Sequence, residues 1–166
     1  MEEWRVIRSF PQYSISTHGR VRNDEDDRYM TLRRNQQGIV YVGLVNDGVQ
    51  FKRAVAPLVA KTFLDPPPEA FDTPINRDGD RTNNYAENLI WRPRWFAIKY
   101  HQQFDPPPRN VLSPVEDVRT EEVFDTSWVA AMRFGLMHRD LVLAVLGFKE
   151  VWPTRQRFRI VYVDIN

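Results

Sequence analysis

The residues with the most chemical potential crowd into one short stretch. Asn76-Arg77-Asp78-Gly79-Asp80 is followed by Thr82-Asn83-Asn84 and then by Glu87-Asn88-Leu89-Ile90-Trp91. Carboxylate and amide oxygens suit a hard divalent cation, and Asp72, Asp78 and Asp80 could take part in such a site. The same residue types also build turns, because Asp and Asn side chains bond nearby backbone groups. Arg77 adds a permanent charge whose fork of donors matches phosphate. Other arginines recur in pairs: Arg20 with Arg22, Arg157 with Arg159, and Arg92 with Arg94 around Pro93. Members of the first two pairs are two residues apart on an extended chain and so share a face. They read either as phosphate contacts or as a solvated surface of ion pairs.

Other chemistries have less support. With no cysteine there is neither a disulfide nor a thiolate zinc site. His18, His101 and His138 are too scattered for a histidine metal cage. A lone histidine such as His101 is more often a solvated side chain than a metal ligand. The five tryptophans, Trp4, Trp91, Trp95, Trp128 and Trp152, read as core residues.

The polar stretch needs elements to hold it. Thr73 to Asn76 and Asn88 to Trp91 read as short strands on either side, and Pro93 opens a helix to about Gln103. Upstream, Trp4 and Val6, then Tyr13 and Ile15, alternate with polar residues as in a half-buried sheet. Arg20-Val21-Arg22 resumes that alternation after His18-Gly19. Residues 39–45 and 49–52 flank Asn46-Asp47-Gly48, a strong hairpin signal. Val55, Leu58, Val59, Thr62 and Phe63 then recur at helical spacing, with Pro57 in the first turn. Downstream, strands are expected around Val115 and Val123. Thr126 or Ser127 caps a helix that stops at Gly135, a second helix runs from His138 to Leu146, and a strand covers 157–163. Two short helices around a glycine turn resemble a helix-turn-helix.

The chain has 166 residues with a formal net charge of +1, 42% hydrophobic and 13% aromatic. That composition supports a core and excludes wholesale disorder. No apolar run approaches the length of a membrane span. The acidic start, Met1-Glu2-Glu3-Trp4, lacks the apolar core of a signal peptide, so a cytoplasmic location is expected. A near-neutral chain can bind nucleic acid only through local asymmetry of charge. Two Asp-Pro-Pro-Pro runs, Asp65 to Pro68 and Asp105 to Pro108, read as stiff connectors. They delimit expected modules at 1–56, 57–104 and 110–166.

Trp4-Arg5-Val6-Ile7, Tyr13-Ser14-Ile15-Ser16 and Gly19-Arg20-Val21-Arg22 occur in an order that resembles the nuclease-associated modular (NUMOD) domain of phage endonucleases. Leu58-Val59-Ala60-Lys61-Thr62-Phe63 and the polar stretch resemble the HNH homing-endonuclease module, whose pattern runs roughly His-x-Asp-Gly, Asn-Asn, Glu-Asn-Leu-x-Trp. The segment from Ser127 to Gly147 resembles a C-terminal helix-turn-helix-like NUMOD repeat. The resemblance implies an α+β chain in three parts: a small antiparallel sheet module, a ββα-metal module, and a helix-turn-helix-like module with short strands.

It also implies a site: one divalent metal beside a phosphate, a histidine base and asparagine ligands. Here the positions are changed. Arg77 stands immediately before Asp-Gly, where the base is expected. Asn76 falls at a ligand place, Asn88 is retained, and the helix ligand falls on Ala97. Ala56 and Pro57 stand where the family has a further histidine. The catalytic positions are therefore Asn76, Arg77 and Asn88, expected to be non-catalytic. DNA contacts are expected from Arg20, Arg22, Arg77, Arg92, Arg94, His138 and Arg139.

Three functions follow. The first is a double-stranded DNA binder that needs no cofactor and works in the host cell of a phage or prophage. The second is a nicking nuclease with a variant centre using Mg²⁺ or Mn²⁺. The third is a module repurposed to contact host machinery or a virion protein.

Overall fold

The computed structural model describes residues 1–104, 111 and 113–162. It divides into two compact units, residues 1–97 and 98–166. The second proline run lies outside the described residues, as does the end of the last expected strand.

The first unit begins with β1 (Trp4–Ile7), β2 (Phe10–Ser16), β3 (Val21–Asn23) and β4 (Arg28–Tyr29), an antiparallel meander in sequence order. Tyr13 and Ile15 point into the core as their alternation requires. Val6 does not: it is 54% exposed while Ile7 is 2%. Val6 pairs with Ser14, which lies between Tyr13 and Ile15 in the strand, so Val6 takes the outer face and Ile7 the inner one.

A second sheet contains β5 (Arg33–Arg34), β6 (Val40–Asn46) and β7 (Val49–Ala54). The hairpin closes with Asn46 opposite Val49. Asp47 and Gly48 form the two-residue turn at φ 50° and 75°, the conformation the Asp-Gly pair favours.

The helix α1 (Val55–Phe63) follows without a break. It buries Val55, Leu58, Val59 and Ala60 and ends before Pro66. The last piece of the unit pairs β8 (Thr73–Asn76) with β9 (Leu89–Arg92), separated by the polar loop and a short 3-10 turn at Ala86–Asn88. The helix α2 (Arg94–Gln102) comes next. Strand, loop, strand and helix thus appear in the expected order.

One core joins these elements. Ile15 from β2, Leu44 from β6, Val59 from α1, and Leu89 and Trp91 from β9 belong to the same buried cluster. Residues 1–56 therefore share a core with the α1–β9 segment.

The second unit builds a sheet in the order β11-β10-β13-β12 from β10 (Val115–Asp117), β11 (Val123–Phe124), β12 (Glu150–Val151) and β13 (Gln156–Ile160). Between β11 and β12 lie α3 (Ser127–Phe134) and α4 (His138–Gly147). The Thr126 hydroxyl caps α3 by accepting the Val129 N–H at 3.3 Å. Gly135, at φ 60°, stops it in the left-handed conformation. Leu141, Ala144 and Val145 face this unit's own core with Val115 and Phe158. The tryptophan expectation holds best for Trp91, at 7% exposure; Trp95 and Trp152 are 48% and 45% exposed.

Candidate nucleic-acid interface and altered metal site

The polar loop between β8 and β9 is tied together by its own side chains. Asn76, 4% exposed, donates its amide to the Asn83 carbonyl at 2.8 Å and to Asn84 Oδ1 at 3.2 Å. Asn88 Nδ2 donates to Asp78 Oδ1 at 3.0 Å and to the Asn83 carbonyl at 2.8 Å. In return the Asp78 backbone N–H donates to Asn88 Oδ1 at 3.3 Å. Asp78 also accepts from Asn83 Nδ2 at 2.6 Å and from the Asp80 N–H at 2.9 Å. Asp80 accepts both the hydroxyl and the N–H of Thr82, and these bonds hold its carboxyl below the ordinary carboxylate range. The Arg77 N–H donates to the Asn88 carbonyl at 2.8 Å, carrying the β8–β9 pairing one step into the loop.

The position of the base needs a correction. Counted back from Asp78-Gly79, His-x-Asp-Gly puts histidine at Asn76 and the variable residue at Arg77. Neither side chain is a base near neutral pH, since an amide does not take the proton and a guanidinium already carries one. Asn88 Oδ1 and the Asp78 carboxylate are occupied within the loop, and Ala97, 6% exposed, offers a methyl group where a ligand is expected. Among the described residues there is no group of three or more His, Asp or Glu placed to hold a metal ion. The residues present at these places do not fit a catalytic divalent cation.

The expected DNA contacts fall into different environments. Arg20 is held by Glu2 in a bidentate pair, 2.8 Å at Nε, and its hydrogen bond lowers the Glu2 carboxyl to about 2. Arg22 pairs with Asp24 at 3.1 Å and Asp27 at 3.3 Å and lies 5.1 Å over the Trp4 ring. Arg77 is half-buried, while Arg94 and Arg139 are exposed. Arg92 and His138 are each 2% exposed, so neither lies on the surface expected of it. Arg92 is enclosed by Phe71 and Phe96, each 5.9 Å away, and bonds the Trp91 carbonyl at 2.8 Å. His138 places Nε2 2.9 Å from the Ser127 hydroxyl, with its ring edge-on to Trp128. Arg157 and Arg159 are paired with Glu150 and Glu116.

His138 carries a pH prediction. Burial pushes its pKa below the ordinary histidine value. The unfolded chain therefore takes up the proton first as pH falls, and the second unit loses stability from about pH 6.5 downward. Hydrogen exchange in α3 and α4 is expected to be faster at pH 5 than at pH 7.5 after correction for intrinsic rates. His138→Gln should shrink that difference; an unchanged difference would assign it to another group.

A basic cluster absent from the sequence reading lines a groove in the first unit: Arg28, Arg33, Arg34 and Lys52. The Arg33-Arg34 doublet before the hairpin was the available signal, but only the strand pairing brings Lys52 to it.

Residues 2–45 match the NUMOD4 motif. Over 89 residues the chain is 28% identical to a protein of Acanthamoeba polyphaga mimivirus described as an uncharacterized HNH endonuclease; the match covers 54% of this chain and 26% of that protein. The chain thus spans about a quarter of that curated relative. It shares its fold with the HNH homing endonuclease I-HmuI, solved in work on that enzyme's DNA binding and cleavage. The TM-score is 0.56 at 19% identity, covering 97% of this chain and 99% of the other.

Proposed function

We propose, for a chain with the fold of an HNH homing endonuclease and a NUMOD4 match in its first sheets, that it binds double-stranded DNA without cutting it. The observation that carries this reading is the closed loop from Asn76 to Asn88. Where the HNH pattern has a base and metal ligands, this chain has amides bonded to one another, an arginine and a buried alanine. The NUMOD4 match and the exposed arginines support duplex DNA as the partner. In this reading the first unit supplies phosphate contacts, which give position rather than sequence. The paired helices α3 and α4 act as a helix-turn-helix-like element with Arg139 at its exposed start. No described helix is long and apolar enough to cross a membrane.

A second reading, protein contact, attaches to α4. Leu143 and Leu146 are 57% and 61% exposed on its outer face, followed by Phe148 at 86%. A helix that reads a DNA groove presents polar side chains there. The DNA reading predicts that the full chain retards a duplex fragment in a gel and that retardation weakens with salt. Failure to retard any duplex at low salt would leave the protein-contact reading in its place.

A further inference from the structure

We infer that the groove beside β4, β5 and the β6–β7 hairpin is the main seat for the phosphate backbone, an assignment that rests on the DNA reading above. Arg28, Arg33, Arg34 and Lys52 line it, with Tyr41 and Gln50 between them, and no carboxylate contributes to its wall. Its volume is about 740 Å³, open enough to admit an extended chain.

The contrast with the arginines picked from the sequence decides the assignment. Arg20 and Arg22 already bond to carboxylates, so a phosphate would have to displace Glu2 or Asp24. Arg33, Arg34 and Lys52 make no ion pair among the described residues; Arg34 feels Asp80 only at longer range. Arg28 has one exposed partner, Asp26, at 3.4 Å. Like charges gathered without counter-charge repel one another, and a polyanion relieves that repulsion.

The strand register sets the spacing. Arg33 lies opposite Tyr41, and Lys52 opposite Gly43. Cross-strand partners share a face, as do residues two apart on β6. Arg33, Tyr41, Gly43 and Lys52 therefore share the outer face, with Lys52 Nζ 4.3 Å above the Tyr41 ring. Two strand residues span about 6.8 Å, about twice the axial rise per nucleotide of a DNA strand. Gly43 keeps the floor low: a Cβ there would meet Gln50 Nε2 at 2.7 Å. The turn after β5 is tied to the polar loop through Arg81, which donates to the Gln37 carbonyl at 3.2 Å. The groove and the altered site thus belong to the same unit.

The test compares two full-chain triple variants of equal charge by anisotropy of a labelled duplex across a salt series. One is Arg33→Ala, Arg34→Ala, Lys52→Ala; the other, Arg8→Ala, Lys61→Ala, Lys149→Ala, removes three exposed cations elsewhere. Losing three phosphate contacts should reduce the slope of log affinity against log salt by about 2.7. The comparator should change it by less than about 1. Arg33→Lys, Arg34→Lys, which keeps the charge, should retain most of the slope and guards against a fold defect, as does an unchanged thermal midpoint. If wild-type protein binds and both triple variants lose slope equally, or neither does, the groove assignment is overturned and DNA binding stands. If wild-type protein binds no duplex, the DNA reading falls and the groove with it.

Discussion

Asp78→Ala is expected to lower the unfolding free energy of the first unit by about 2 kcal/mol, because a charged acceptor is removed and its half-buried amide donors are left unmet. Asp78 receives the amides of Asn83 and Asn88 and the N–H of Asp80. A water molecule can replace part of this, which keeps the effect below that of losing a fully buried ion. Denaturant titration of the full chain gives the number, and hydrogen exchange at Ile75 and Leu89 reports whether the loss reaches β8 and β9. A change below about 0.5 kcal/mol is the surface-residue range and would mean that the loop is not the scaffold its bonding implies. Asn88→Ala should follow in the same direction with a smaller effect, since it removes neutral bonds to the Asn83 carbonyl and the Asp78 N–H along with its bond to Asp78.

Leu44→Ala is expected to cost about 3 kcal/mol, within the range for a buried leucine truncated in a packed core. Leu44 is 0% exposed at the middle of β6. Its cluster includes Leu89 and Trp91 from β9, whose sequence neighbours hold the polar loop. The informative readout is where protection is lost. With one shared core, exchange in β9 should accelerate by the same free energy as exchange in β6. If β9 kept its protection, the sheets before α1 would be a separate folding unit.

Much of the architecture was legible because it rests on local chemistry. Asp47-Gly48 selects its hairpin, Thr126 and Gly135 bound α3, and Pro66 ends α1. The strands β8 and β9 were legible from the motif that separates them. What stayed hidden depends on tertiary contact. The pairs β4, β5 and β12 are two residues each, too short for a periodic signal. Val6 was placed inward because its pairing with Ser14, rather than with Tyr13 or Ile15, is a matter of strand register. Arg92 and His138 looked like surface charges until Phe71, Phe96 and the helix pair α3–α4 closed over them. Arg33 and Lys52 are 19 positions apart and meet only through the register of β5, β6 and β7. The HNH-like resemblance gave the positions Asn76, Arg77, Asn88 and Ala97; their mutual bonding came from the geometry.

Binding without cleavage is tested most directly on supercoiled plasmid. The full chain is added at a concentration that retards all the plasmid in a gel, with Mg²⁺ or Mn²⁺ present, and the DNA topology is read again after the protein is stripped away. Complete retardation is expected, with plasmid that remains supercoiled. Metal-dependent conversion to the nicked circle, abolished by Asn88→Ala in a protein that still binds, would contradict that expectation and place a working centre at the loop.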